Sequence, residues 1–310
     1  ARVTLAAAAM ELCHLRDIGL PVQSTCQQAL TLRKGAACLA LPSGRVSDSA
    51  SKGGEAQARD MRPENALAQP AAQTTRALYM EGTYVFQCSA CVLDMHFFEE
   101  TGKLGVELDQ TVFHPQGGGQ PSDRGQLCAD GLPNLAVTFV TKDKAKEGVI
   151  RHDCEGDVQA WLRKGAGMTV TCQVDESTRR SNARLHSAGH LLDVAIFGLG
   201  FRWQPGKGYH FADGPYVEYI PSKDGRQLDM KDAKAKDVAM AEMADKMKEL
   251  IAKEVATEVG FVNGMRTITM DGVSCGCGGT HVELSSEIGE VTIKKIQAKQ
   301  GNIRVSYAVL

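Results

Sequence analysis

The sequence has 310 residues, 43% of them hydrophobic and 23% charged, with 35 Lys plus Arg against 37 Asp plus Glu. A chain of this size and make-up can bury a sizeable core and has room for two domains, while its formal net charge of -2 confines any nucleic-acid footprint to a local patch. No apolar run reaches the roughly 18 residues that a membrane-spanning helix needs, so no membrane partner is expected, and the 32 glycines follow no triplet period, which excludes a collagen-like chain.

Residues 1–76 differ in texture from the rest. An Ala-rich opening leads through Pro42-Ser43-Gly44 into a Ser/Ala/Gly/Gln/Glu stretch ending at Arg76. It lacks both the helical and the strand period and reads as a low-complexity extension. Its first 45 residues carry five basic side chains (Arg2, Arg16, Arg33, Lys34, Arg45) against Glu11 and Asp17. That acid-poor, Ala-rich start resembles an organelle transit peptide; the alternative is an extension that addresses nothing. The ten cysteines show no paired framework, so a reducing compartment is expected. The cytoplasm fits, or a mitochondrion or plastid if residues 1–45 are a transit segment.

From residue 77 to 175 the sequence reads as short strands with Gly and Pro punctuation: Tyr84–Phe86, Cys91–Leu93, Gly105–Leu108, Thr111–Phe113, Leu135–Val140 and Met168–Val174. This predicts a small barrel-like or sandwich β-subdomain. Residues 176–310 read as mixed α and β. Ser177 is placed to cap a helix running to about Phe197, with Leu185, Ala188, Leu192, Ala195 and Ile196 on its apolar stripe. A second helix is predicted over about 231–257, with Val238, Met243, Met247, Leu250 and Ile251 inward. A hairpin around Asp213-Gly214 joins Tyr209–Phe211 to Tyr216–Ile220, and Val291–Ile293 and Ile303–Val309 add strands. The fold class is α+β.

Two residue pairs carry metal chemistry. His186 and His190 stand four apart on the first helix, hence on one face. About 90 residues on come Cys277 and His281, in Cys-Gly-Gly-Thr-His. Imidazole and thiolate are the usual ligands of Zn²⁺, which takes about four, so the pairs together make a zinc set. A metalloprotease would carry Glu after the first His; here that residue is Ser187, which removes the general base. Cys88 and Cys91 have a knuckle spacing without a facing pair and read as buried structural cysteines. Cys275, two residues before Cys277, is a competing ligand. Four protein ligands would close a tetrahedral shell, whereas metal-water catalysis needs an open position; either one (His281 first) binds loosely, or the ion becomes five-coordinate, or the zinc orients substrate and the water is held elsewhere.

The second signal runs from Asp109 to Gly125 and contains Gly117-Gly118-Gly119-Gln120. Three glycines let backbone approach a ligand and form an anion cradle with their N–H groups, or else make a tight turn. Thr111 offers a short hydroxyl, Gln116 and Gln120 their amides. Basic side chains near these motifs, Arg179, Arg180 and Arg184 on the helix and Lys294, Lys295, Lys299 and Arg304 near the tail, are either phosphate contacts or ordinary solvated surface.

Taken together, His186-Ser-Ala-Gly-His190-Leu-Leu, Cys277-Gly-Gly-Thr-His281-Val and Thr111-Val-Phe-His-Pro-Gln-Gly-Gly-Gly-Gln-Pro-Ser-Asp-Arg-Gly125 resemble the freestanding alanyl-tRNA editing proteins (the AlaX family), relatives of the editing domain of alanyl-tRNA synthetase. Gly208–Tyr219, Glu287–Lys295 and Gly301–Tyr307 fit the same family, and the match spans about 78–310 in order. The resemblance implies a zinc-containing editing domain of the alanyl/threonyl-tRNA synthetase type. It implies a hydrolase that removes serine, and sometimes glycine, from tRNA for alanine, without need of ATP. It places zinc on His186, His190, Cys277 and His281, and Thr111 at the pocket threonine, with Gln120 or the metal sharing its task. A site must hydrogen-bond the serine hydroxyl to spare Ala-tRNA. Two other readings remain: editing of a different error such as Ser-tRNA for threonine, and a non-catalytic tRNA-binding module with structural zinc.

Overall fold

The computed structural model describes residues 74–310; the transit and linker expectations for residues 1–73 lie outside them. Thr75 and Arg76, assigned to the extension by their texture, are part of the fold. The Thr75 hydroxyl donates to the Leu108 carbonyl and accepts from the Ile150 N–H, and β1 (Arg76–Ala77) pairs in parallel with β4 (Gln110–Thr111).

Six strands close an antiparallel barrel: β2 (Gln87–Phe98), β3 (Lys103–Leu108), β5 (Gly125–Cys128), β6 (Leu135–Lys142), β7 (Ile150–Glu155) and β8 (Thr169–Val174), in the order β2-β3-β7-β6-β5-β8. The alternation that a strand imposes on its side chains sends Ile150, His152 and Cys154 of β7, and Val170, Cys172 and Val174 of β8, to one side, where they are buried with Leu104, Val106, Leu127 and Val140. β2 shifts register between Val92 and Asp94, the bend that lets one long strand serve two neighbours. The short helix α1 (Val158–Lys164) seats a fully buried Trp161, whose Nε1–H donates to the Pro133 carbonyl at 2.8 Å. Tyr84–Phe86 lies outside these strands.

The second core gathers around α2 (Glu176–Gly198) and α3 (Ala233–Ala252). Asp175, not Ser177, caps α2, its carboxylate accepting the Thr178 N–H at 2.7 Å; an aspartate there also suits the positive end of the helix. On α3, Met243, Met247 and Leu250 are buried as the helical period predicts, but Val238 is 55% exposed and Ala239 takes the inward place. These helices pack against a four-stranded antiparallel sheet, β14-β15-β10-β9, built from β9 (Gln204–Tyr209), β10 (Tyr216–Ile220), β14 (Val291–Lys299) and β15 (Asn302–Val309). A three-stranded meander, β11 (Thr257–Val262), β12 (Met265–Met270) and β13 (Val273–Gly276), leads directly into Cys277.

Candidate metal centre

His186, His190, Cys277 and His281 each bring one ligand atom to within 4.8 Å of the others. Helix α2 supplies the two histidines from one face, their rings stacked with centroids 4.9 Å apart. The loop after β13 supplies the cysteine, whose Sγ lies 3.5 Å from His186 Nε2 and 3.4 Å from His281 Nε2. The loop reaches this close because residue 279 is glycine: a Cβ there would sit 2.3 Å from His186 Cε1. Cys275, the competing ligand, is not among the four, its Sγ lying 3.3 Å from His190 Nδ1.

The donor set fits a zinc ion. It joins one soft thiolate to three imidazoles, and His190 Nε2 is buried with no hydrogen-bond partner among the described residues. Burial alone would raise the Cys277 thiol, yet His186 and His281 beside it hold it well below the ordinary range, toward the thiolate that binds metal. Burial pushes His281 down to about 3, which keeps its imidazole neutral.

Gln120 is the link between the Gly-rich loop and this cluster. Its Oε1 accepts His186 Nδ1–H at 2.8 Å and the Thr280 N–H at 3.0 Å, while its Nε2 donates to Thr280 Oγ1 at 2.8 Å. An amide oxygen can only accept, so His186 carries its proton on Nδ1 and presents the Nε2 lone pair. Gln120 thus acts on His186 as a positioning residue. The glycines ahead of it form a tight turn, closed by Gly117 N–H to the Gln120 carbonyl at 3.2 Å and Gln120 N–H to the Gly117 carbonyl at 3.0 Å.

His210 was not singled out from sequence. Its ring is buried and stacked on His186, with centroids 4.5 Å apart and planes 24° off parallel. Its backbone N–H donates to the Gly119 carbonyl at 2.8 Å. The Tyr307 hydroxyl donates to the Leu185 carbonyl and lies 2.7 Å from His210 Nδ1, so it accepts the Nδ1 proton. Burial first, then His186 and His190, hold His210 well below its ordinary range. Gly189, between the two helical histidines, makes room for this ring: a Cβ there would lie 2.4 Å from His210 Cε1. A glycine inside the His-x₃-His helix was the available signal, since glycine in a helix interior weakens it unless something packs there.

Several expected contacts are spent on the fold instead. Arg179 is fully buried, its guanidinium paired with Asp123 and donating to the Thr83 and Val112 carbonyls; it is a structural cation, and a phosphate has no access to it. Arg184 donates to the Ile288 and Leu310 carbonyls at 2.9 and 2.7 Å. Arg180 is exposed, pairs with Glu176 and lies over the Tyr84 ring. Lys294 and Lys295 are exposed on β14.

Thr111 is fully buried and its hydroxyl is engaged with His152 and the Phe113 backbone. His152 Nδ1–H donates to the Val106 carbonyl at 3.0 Å, which leaves Nε2 to accept from Thr111 Oγ1–H at 2.8 Å, and Thr111 Oγ1 in turn accepts the Phe113 N–H. Thr111→Val is expected to strand a buried acceptor and cost about 1–3 kcal/mol, seen as a melting point some 2–12 °C lower. An unchanged melting point would show the bond to be dispensable. Burial lowers His152 to about 4 from 6.5, so this neutral histidine contributes stability that is full above pH 6.5 and is lost as the pH falls toward 4.

The fold and cluster define a mixed α/β protein with a closed six-stranded barrel and a His/Cys set able to hold a metal ion. No protein-family model matches the chain. The chain is a relative of the alanine–tRNA ligases, as the motif resemblance anticipated. It is 31% identical to that of Korarchaeum cryptofilum over 253 residues, 76% of this chain and 26% of the ligase. It is 29% identical to that of Caldivirga maquilingensis over 274 residues, 82% of this chain and 28% of the ligase. The Haloquadratum walsbyi enzyme gives 29% over 250 residues. The chain thus spans about a quarter of the length of the curated relatives it matches.

Proposed function

We propose that this protein is a zinc-dependent aminoacyl-tRNA hydrolase that removes serine mischarged onto tRNA for alanine. The observation that carries the reading is the convergence of His186, His190, Cys277 and His281 beside a glutamine that fixes the protonation of one of them. Kinship with alanine–tRNA ligases supports tRNA for alanine as the partner. In the reaction, water adds to the acyl carbonyl and the ester bond to the ribose breaks, leaving serine and a free terminal hydroxyl. A zinc ion held by the four side chains would supply Lewis-acid polarisation or a more acidic water. The chain's own part is positional. Gln120 and Thr280 orient His186, the His210 ring braces it from the side, and the Cys277–His281 loop closes onto it over Gly279. Such partners of a ligating histidine fix its ring and tautomer.

The test is deacylation of Ser-tRNA for alanine beside Ser-tRNA for threonine and correctly charged Ala-tRNA. Selective release of serine from the first is expected. Hydrolysis of the threonine species alone would move the reading to a different editing error, and no hydrolysis with zinc bound would make the centre structural.

A further inference from the structure

The two faces of the sheet β14-β15-β10-β9 are unlike. One carries Val217, Tyr219, Ile303, Val305, Tyr307 and Ile296, buried in the helical core. Register places Tyr216 opposite Tyr209 and Ser306, Glu218 opposite Arg304, and Lys295 opposite Ser306, all on the other face. There the Tyr209 ring stacks on Phe211 (4.5 Å, 14° between planes) and on Tyr216 (5.3 Å, 17°). The Arg304 guanidinium continues the series 3.8 Å from the Tyr216 centroid, held there by Glu218. The three rings therefore lie in near-parallel succession with the Arg304 guanidinium over the last, and all three are only half-buried. Aromatic residues make up only 5% of the sequence, so gathering three in this way on a solvent face is not a by-product of abundance. Exposed Lys294, Lys295 and Lys299 on β14 and Lys207 on β9 border the face, and none forms an ion pair among the described residues. Tyr209 and Phe211 flank His210, whose own side chain reaches the opposite way onto His186.

Parallel rings edged with cations are the chemistry that holds unpaired nucleotides, bases on the rings and phosphates on the lysines. We propose that this face, centred on Tyr209, Phe211 and Tyr216, binds the single-stranded 3′ end of tRNA. Tyr209 and Phe211 lie on either side of His210 at the end of the edge strand β9, and His210 touches His186 from the opposite face, so an RNA strand crossing this edge would run from the platform toward the metal cluster. The inference rests on the tRNA-hydrolase reading for its ligand but is tested without an amino acid.

Fluorescence anisotropy on the full chain would compare two labelled RNA minihelices, one with a single-stranded ACCA tail and one blunt. Phe211→Ala, which removes the open end of the ring stack, is expected to weaken binding of the tailed RNA by roughly 5- to 150-fold, the cost of one lost base stack; Tyr209→Ala is expected to weaken it by removing the ring that supports Phe211; both should leave blunt binding within about twofold. Tyr209→Trp should retain tailed binding. Phe211 lies outside the strands, so its variant reads the platform even if Tyr209→Ala does not fold. Wild-type-like binding of the tailed RNA by a folded Phe211→Ala protein would overturn the proposal. So would equal weakening on the blunt RNA, or no tail preference in the unsubstituted chain. Tail binding without serine release would leave the platform standing and remove the hydrolase reading; serine release with no tail preference would do the reverse.

Discussion

Replacing Cys277 by alanine is expected to empty the metal centre and to lower Ser-tRNA deacylation by more than about 100-fold. The bound comes from outer partners of zinc ligands, whose loss alone costs 10- to 100-fold; losing a ligand itself should cost more. Cys277 is the sole thiolate in the set, and its Sγ touches both His186 and His281, so its removal takes away the anionic ligand and the atom the imidazoles gather around. Cys275→Ala is the matched control: its sulfur meets His190 Nδ1 rather than the shared centre, and near-normal zinc content is expected. Zinc per chain, measured by elemental analysis after dialysis against metal-free buffer, decides between the two cysteines. Full zinc in the Cys277 variant and loss in the Cys275 variant would reverse the assignment.

The convergence of His186, His190, Cys277 and His281 was legible in the sequence because metal chemistry restricts residue type and helical spacing restricts direction: two histidines four apart must share a face, wherever the helix sits. The barrel was legible only in part. The apolar runs of β3, β6 and β8 stood out, but β7 (Ile-Arg-His-Asp-Cys-Glu) buries a histidine and alternates with charges, so its hydrophobic signal is faint. The meander β11-β12-β13 was missed although its two turns are Asn263-Gly264 and Asp271-Gly272, each with positive φ at both residues, the strongest short-range hairpin signal there is. Polar residues were the hardest to place. Thr111, Arg179 and Gln120 all sit in or beside chemical motifs, and sequence proximity to a site does not say which way a side chain points. All three are fully buried, and their partners separate them: Arg179 pairs with Asp123 and Thr111 with His152, while Gln120 reaches His186.

Arg179→Ala is expected to destabilise the protein by about 3–5 kcal/mol, the cost of leaving one half of a buried ion pair without its partner. That is a large share of the roughly 5–15 kcal/mol that holds a domain folded. The geometry explains why the loss is hard to absorb. Arg179 and Asp123 are both 0% exposed, so bulk solvent does not reach either charge. Asp123 also accepts the His114 N–H at 2.6 Å, and the guanidinium satisfies the Thr83 and Val112 carbonyls. The pair therefore ties α2 to the loop that carries Gln120 and to the segment before β2. Arg179→Lys should rescue little, because an ammonium cannot reproduce the planar fork that serves Asp123 and two carbonyls at once. Pairing Arg179→Met with Asp123→Leu should cost less than the two single changes summed, since neither charge is then left alone. Urea unfolding of the four proteins reads the coupling. If Arg179 served tRNA instead, its alanine variant would melt like the parent and bind tRNA more weakly; a parent-like denaturation midpoint would return this arginine to the RNA surface.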